Sequence, residues 1–262
     1  MTLAIKYMFL LLTATLTSAW TAPEYDGFSL VWSEDFAGAD DAILPNQKVW
    51  NIIDADLDVN AELEVSESRC WSSGRIESKY SFTPEAGKRT VVEAYIRFGN
   101  NSADTKQGIR HGVQWPGCGE LDILEILNSQ SIGRGTAHCD VPQKGRCNEP
   151  VGLNSSVVVM NQGWCVPRLI PTRPRMGRSV QPTHVITWHM NEKQFHRVTG
   201  DQIGDSGVWS TLAQTPMFFI LNVAVSGTLP GNPNGKTKDG YGAMMEVGYV
   251  ARGTEHLAPG GS

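Results

Sequence analysis

Short apolar or alternating runs, each bounded by glycine, proline, asparagine or aspartate, recur along most of this chain. The 262 residues include 27 glycines and 14 prolines, so turn signals are frequent. Short runs between turn residues are typical of β-strands, and no segment after residue 19 keeps a helical period over three turns. The clearest runs are residues 28–32, 91–98, 157–160, 185–188 and 217–225. This pattern predicts an all-β fold, either a sandwich or a jelly roll.

The first nineteen residues predict a secretory signal peptide. Lys6 supplies the positive charge, an apolar stretch follows at residues 7–16, and small residues precede position 20. A membrane anchor is the alternative, but a span needs about 20 apolar residues. Two glycosylation sequons, beginning at Asn100 and Asn154, agree with export. We expect a secreted glycoprotein, extracellular or in the cell wall, without membrane contact after signal cleavage.

The charge of the chain limits the classes of molecule that it can bind. The formal net charge is -5 and charged residues make up 19% of the chain. Nucleic-acid binding calls for a basic patch, so we expect no nucleic-acid partner. A hydrophobic fraction of 40% is sufficient for a full core in one large all-β domain or two small ones.

Five cysteines can form disulfides in an oxidising compartment. Cys139 and Cys147 enclose a short, turn-rich segment that can bring their sulfurs together, so we predict this pair. The pattern leaves three cysteines unassigned: Cys70, Cys118 and Cys165. A zinc site is disfavoured because the cysteines and histidines lack the paired spacing of structural zinc sites, and we predict no metal ligands.

Three carboxylates lie close together in Glu120-Leu121-Asp122-Ile123-Leu124-Glu125. Residues two apart share a face of a strand, so Glu120 and Asp122 point the same way. An extra residue at the aliphatic doublet, a β-bulge, brings Glu125 to that face. The two glutamates are then about 13 Å apart along the strand, and their side chains can close this to the roughly 5 Å of a retaining glycosidase.

Such a mechanism uses one ionised carboxylate as the nucleophile and one protonated acid that later acts as the base. Two other interpretations of the acidic segment remain open. An exposed face of an antiparallel strand is normally polar, and carboxylate oxygens are also calcium ligands.

The segment resembles the active-site signature of glycoside hydrolase family 16, in its laminarinase-like, bulge-containing form. Further segments resemble landmarks of this family in the same order, and the Arg110-His111-Gly112 and Trp115-Pro116 segments resemble the secreted fungal branch. These landmarks are residues 30–36, 59–64, 72–78, 110–112, 115–116, 135–139 and 219–225. The resemblance runs from about Phe28 to Val250.

This resemblance implies a concanavalin A-like β-jelly-roll sandwich of two curved antiparallel sheets with a cleft on the concave face. It implies endo-acting hydrolysis of β-1,3 or mixed β-1,3/1,4-glucan. By position, Glu120 matches the nucleophile, Asp122 the assisting residue and Glu125 the acid/base. Three further residues match substrate-binding positions: Trp115, His138 and Asn60. A core role for Trp115, a structural role for His138 and a turn role for Asn60 are the alternatives.

The chain departs from the family pattern at three places. Residues 65–71 are too short for a strand pair that the family carries, and residues 107–109 run directly into Arg110 where a strand beside the catalytic one is expected. Residues 163–182 carry prolines and arginines without strand or helix character. We therefore predict a catalytic domain at residues 24–251 that lacks some strands, and a disordered tail at residues 252–262.

Two other functions use the same features. A wall-remodelling transglycosylase would use the same carboxylates and pass the glycosyl group to a sugar acceptor. An inactive glucan-binding protein would fit the apparent loss of strands. We expect β-glucan as the partner, a monomer, and no required cofactor, although this fold can hold a structural calcium ion.

Overall fold

The computed structural model describes most of the chain after the predicted signal peptide. The described residues are 20–36, 45–53, 74–99, 104–110, 114–128, 130–159, 163–173, 184–225, 231, 237–238 and 244–256. The predicted signal peptide, Asn60, Cys70 and residues 65–71 lie outside them.

Two antiparallel sheets make up the described structure. Sheet A has the order β1-β14-β4-β10-β11-β12, and the short strand β9 also pairs with β4. Its strands are β1 Phe28–Glu34, β4 Lys88–Arg97, β9 Trp164–Cys165, β10 Pro167–Arg173, β11 Val185–Met190, β12 Lys193–Thr199 and β14 Glu246–Glu255.

Sheet B has the order β2-β3-β13-β5-β6-β7-β8. Its strands are β2 Trp50–Ile53, β3 Gly74–Phe82, β5 Asp104–Arg110, β6 Glu120–Leu127, β7 Ile132–His138, β8 Leu153–Val158 and β13 Met217–Ala224. Two short helices, α1 Gly200–Ile203 and α2 Ser206–Ala213, lie between β12 and β13. Among the described residues, no helix is long and apolar enough to cross a membrane.

The core lies between the sheets and supports the acidic segment from below. Leu121, Ile123 and Leu124 of β6 are fully buried, and each contributes about 1.5–3 kcal/mol of hydrophobic stabilisation. Trp188 of β11, also fully buried, donates its indole N–H to the Asp122 carbonyl oxygen at 2.8 Å. This packing holds β6 against sheet A and offsets part of the cost of burying carboxylates on its other face.

The strand predicted to be missing beside the acidic segment is present. Strand β5 pairs with β6 on one side and β13 on the other, with Arg110 opposite Glu120 and opposite Phe218. The prediction of a gap here is wrong because Asp104–Arg110, although polar and short, is sufficient to complete the backbone ladder between two long strands.

The proline- and arginine-rich segment also contains a strand, contrary to prediction. In β10 the side chains of Pro167, Leu169 and Pro171 are buried and those between them are half-buried, which is the period of a strand. Arg168 on the outward face forms an ion pair with the buried Glu93, with Nε and Oε2 2.5 Å apart. Residues 174–182 lie outside the described part.

Two further predictions concern the cysteines and the tail. The predicted disulfide between Cys139 and Cys147 is present, with Cα atoms 5.4 Å apart. Cys118 and Cys165 are buried and form no disulfide with another described residue.

The predicted tail begins too early, because β14 continues to Glu255, paired with β4 and β1.

Candidate active site

A β-bulge in β6 brings the three carboxylates to one face, as predicted. Against β7, Asp122 lies opposite Thr136 and Glu125 opposite Arg134, so three steps on β6 match two on β7. In the pairing of β6 with β5, the adjacent residues Gln107 and Gly108 lie opposite Leu124 and Asp122, so the extra residue is again on β6. The Thr136 hydroxyl donates to Glu125 Oε2 at 3.1 Å, which places the Glu125 carboxylate above the residue paired with Asp122.

Glu120 lies at the start of β6 and is held by an indole. Trp115 Nε1 donates to Glu120 Oε2 at 2.7 Å. Glu120 is 5% exposed, whereas Trp115 is 37% exposed. Trp115 is therefore on the wall of the site and not in the core, and one edge of its ring orients the carboxylate while part of the ring remains open to a ligand.

His138 lies between two carboxylates. Its Nε2 is 3.2 Å from Asp122 Oδ2 and its Nδ1 is 2.8 Å from Glu149 Oε2. Asp122, Glu125 and His138 each have a carboxylate or imidazole atom within 4.8 Å of the others. The His138 ring also lies 5.4 Å from the Trp115 ring. The structure thus joins Trp115 and His138 to the three carboxylates in one site.

Glu149 is a component of this site that the sequence did not point to. Its side chain is fully buried. One oxygen faces His138, and the other accepts a hydrogen bond from the Cys139 backbone N–H at 2.9 Å. Glu149 follows Cys147 closely in the chain, and the disulfide explains how it returns to β7. The sequence feature that could have indicated Glu149 is its position just beyond the second cysteine of the predicted loop.

Gly152 provides the space that Thr136 and His138 occupy. Its φ is +72°, and a Cβ added there would lie 2.4 Å from Thr136 Cγ2 and 2.9 Å from His138 Cε1. Only glycine combines this left-handed backbone with so close an approach.

We expect Gly152→Ala to lower the free energy of unfolding by about 2–5 kcal/mol, the sum of left-handed strain and overpacking. Gly27→Ala is the matched control, because Gly27 has φ +78° but no atom within 4 Å of the added Cβ. Gly27→Ala should lower the free energy of unfolding only by the left-handed backbone strain, about 1–2 kcal/mol. Urea unfolding measures both variants, and equal losses would show that Gly152 is not under steric constraint.

A cavity lies beside sheet B, away from β6, and none of the three carboxylates lines it. It has a volume of about 990 Å³ and is lined by residues of β2, β3 and β13 that include Asn51, Arg75 and Asn222. In the strand register Asn222 lies opposite Lys106, which lies opposite Glu125. At about 4.8 Å per strand, Asn222 is roughly 10 Å from the acidic strand on the same face.

No protein-family model matches the sequence. The alpha subunit of clotting factor G from Tachypleus tridentatus is 23% identical over 195 residues, or 73% of this chain. The chain spans about a quarter of that relative, 24% of its length.

Solved structures of glucanases share the fold. The endo-1,3-β-glucanase from Streptomyces sioyaensis has a TM-score of 0.78 at 25% identity, over 90% of this chain and 100% of that one. A non-specific endo-β-1,3(4)-glucanase of family GH16 has a TM-score of 0.61 at 15% identity, over 90% of this chain and 94% of that one. The chain has the β-jelly-roll fold of these neighbours, as the sequence predicted.

Proposed function

We propose that this protein hydrolyses internal bonds of β-1,3 or mixed β-1,3/1,4-glucan with retention of configuration. Glu120 acts as the nucleophile, Glu125 as the acid/base and Asp122 as the assisting group. The observation that carries the proposal is the bulge in β6, which places three carboxylates on one face of a jelly roll. The glucanase names of the solved neighbours support β-glucan as the substrate.

The two glutamates lie in environments suited to their roles. Glu120 is nearly buried and oriented by an indole N–H, which suits a group that must attack one carbon from a fixed direction. Glu125 is half-buried and accepts a hydroxyl hydrogen bond, so it can exchange a proton with substrate and then with water.

Glu120 attacks the anomeric carbon while Glu125 protonates the departing glycosidic oxygen. Glu125 then deprotonates the water that releases the glycosyl group from Glu120, and both carboxyls regain their starting states.

The glucan would cross the strands of sheet B. Trp115 offers a partly exposed aromatic ring beside Glu120, where a pyranose can stack. Asn222 is 3% exposed, and its Oδ1 accepts no hydrogen bond from any described residue. An unsatisfied buried oxygen costs stability, and in the strand register Asn222 is on the same face of sheet B as Glu125. Asn60 remains a proposed contact outside the described residues.

The remaining assignments follow from the sequence. The predicted signal peptide and the resemblance to the secreted fungal branch support action outside the cell or in its wall, and the disulfide is consistent with an oxidising compartment. We propose a monomer that requires no cofactor. A structural calcium ion and glycosylation at Asn154 are further proposals.

We expect the purified chain to release reducing sugar from laminarin and from barley β-glucan. Proton NMR of the first products should show the β-anomer before mutarotation, because two displacements restore the starting configuration. First appearance of the α-anomer would contradict the retaining mechanism, and no release from either glucan by the folded chain would contradict hydrolysis.

The two alternatives give different products. A transglycosylase lengthens an added oligosaccharide acceptor in preference to releasing reducing ends. A binding protein sediments with insoluble glucan and releases no sugar.

A further inference from the structure

Glu149 is the only described residue whose buried carboxylate contacts His138 from the side opposite Asp122. Both Glu149 oxygens are engaged, one by His138 Nδ1 at 2.8 Å and the other by the Cys139 backbone N–H at 2.9 Å. The backbone N–H can only donate, and an ionised carboxylate can only accept. His138 Nδ1 must therefore carry a hydrogen, which it donates to Glu149.

This arrangement determines what faces Asp122. With the hydrogen on Nδ1, the Nε2 atom of a neutral imidazole is an acceptor. Asp122 Oδ2, 3.2 Å away, is also an acceptor when ionised. The contact is favourable only when one proton lies between these two atoms, on either of them. Such a proton removes one unit of negative charge from beside Glu120 and Glu125.

The chain holds Glu149 in place by several contacts outside the carboxylates. The disulfide closes the loop between Cys139 and Cys147. Lys144 and Glu149 exchange backbone hydrogen bonds of 3.0 and 3.1 Å. Arg146 donates to the Ile203 carbonyl oxygen at 3.0 Å and fastens the loop to the end of α1. Residues 141–146 are exposed, whereas Glu149, two residues beyond the second cysteine, is buried.

We propose that Glu149 is a positioning residue for catalysis: it holds one imidazole hydrogen on Nδ1, so that the Asp122–His138 contact must take up a second proton. This proposal rests on the proposed hydrolase function. The disulfide then has a catalytic purpose: it fixes the start of the segment that carries Glu149 to the rear of the site.

The Glu149→Gln variant tests this assignment. The glutamine has one acceptor oxygen, which the fixed Cys139 N–H takes, so its NH₂ group faces His138 Nδ1. We expect His138 to lose the hydrogen from Nδ1 and to keep one on Nε2, which it donates to Asp122. The Asp122–His138 pair then holds one proton instead of two and carries one more negative charge, and the change is visible in the ¹⁵N shifts of the imidazole. We expect kcat on laminarin to fall at least about tenfold, as loss of the correct tautomer does in other enzymes, with KM changed less than about twofold because Glu149 has no surface to offer the substrate.

Glu93→Gln is the matched control. Glu93 is equally buried and hydrogen-bonded, but it lies in sheet A with Tyr25, Tyr249 and Arg168 as partners. It should alter stability and leave kcat per folded molecule and the His138 shifts unchanged. Glu149→Gln with wild-type kcat overturns the proposal. So does a wild-type His138 without a hydrogen on Nδ1, which is measurable even if the variant does not fold.

Failure of the underlying function gives a different result. A wild-type chain that cleaves no glucan removes the catalytic role of Glu149 together with the proposed function. A tautomer change in Glu149→Gln would then still assign the orientation of the imidazole to Glu149.

Discussion

Glu120→Gln is expected to reduce sugar release from laminarin by at least about 10⁴-fold, the order seen when a catalytic nucleophile is removed. The amide is a poor nucleophile, so no glycosyl-enzyme forms. Glutamine keeps the volume and can still accept the 2.7 Å hydrogen bond from Trp115, so the loss should appear in kcat with little change in fold. Reducing-sugar assays with circular dichroism of the same samples measure both.

The control for Glu120 is Glu85→Gln, a change of the same kind at a partly exposed carboxylate that bridges to Lys88. Glu85→Gln should keep full activity. A second test uses Glu120→Ala with added azide, which can enter the vacated space and attack the anomeric carbon. Recovery of turnover with an α-glycosyl azide as the product supports the nucleophile assignment. A Glu120→Gln variant that retains more than about a tenth of the activity contradicts it.

The acidic face was predictable because its signal is local. Side-chain parity along a strand places Glu120 and Asp122 together, and the aliphatic doublet marks where a bulge lets Glu125 join them. In the structure, Ile123 and Leu124 are both fully buried at that irregularity. The short loop between Cys139 and Cys147 was predictable for a similar reason, since few residues separate the two sulfurs.

Strands β5 and β10 were missed because their stability comes from neighbours. Asp104–Arg110 has little apolar character, and its place is determined by β6 and β13 on either side. In β10 the prolines indicated a loop, since proline cannot donate to a ladder. The structure uses Pro167 and Pro171 as buried side chains, and Arg168 pairs with Glu93 from a strand far away in sequence. Neither pairing can be found from a local pattern.

The rear of the site was not predictable from the motif. Glu149 lies far along the chain from Asp122, and their common partner His138 is on a third segment. The sequence assigned His138 to the cleft by resemblance, with a structural role as the alternative. In the structure His138 contacts Asp122 on one side and Glu149 on the other. It therefore lies in the site, as the resemblance implied, and also has a buried structural partner. Such a chain of contacts depends on register and on loop closure, which only the folded chain supplies.

Glu125→Ala is expected to slow hydrolysis of laminarin by about 10²–10⁴-fold, the usual contribution of a general acid. The loss should depend on the leaving group. A glucosyl hydroxyl needs protonation as it departs, whereas a dinitrophenolate does not. A β-glucan oligosaccharide with a dinitrophenyl leaving group should therefore still form the glycosyl-enzyme, and its hydrolysis should be limited by the second step. Added azide needs no base, so it should restore turnover and yield the β-glycosyl azide.

Thr136→Val is the partner variant for Glu125. It removes the 3.1 Å hydrogen bond to Glu125 Oε2 and keeps the shape of the side chain. We expect a smaller loss, about two- to tenfold, since one neutral hydrogen bond contributes about 0.5–1.5 kcal/mol. Because that bond is made to the carboxyl and not to the sugar, the loss should again be larger for laminarin than for the dinitrophenyl substrate. If Glu125→Ala slows both substrates equally and azide restores nothing, Glu125 does not transfer the proton, and the bulge would then serve only the packing of β6.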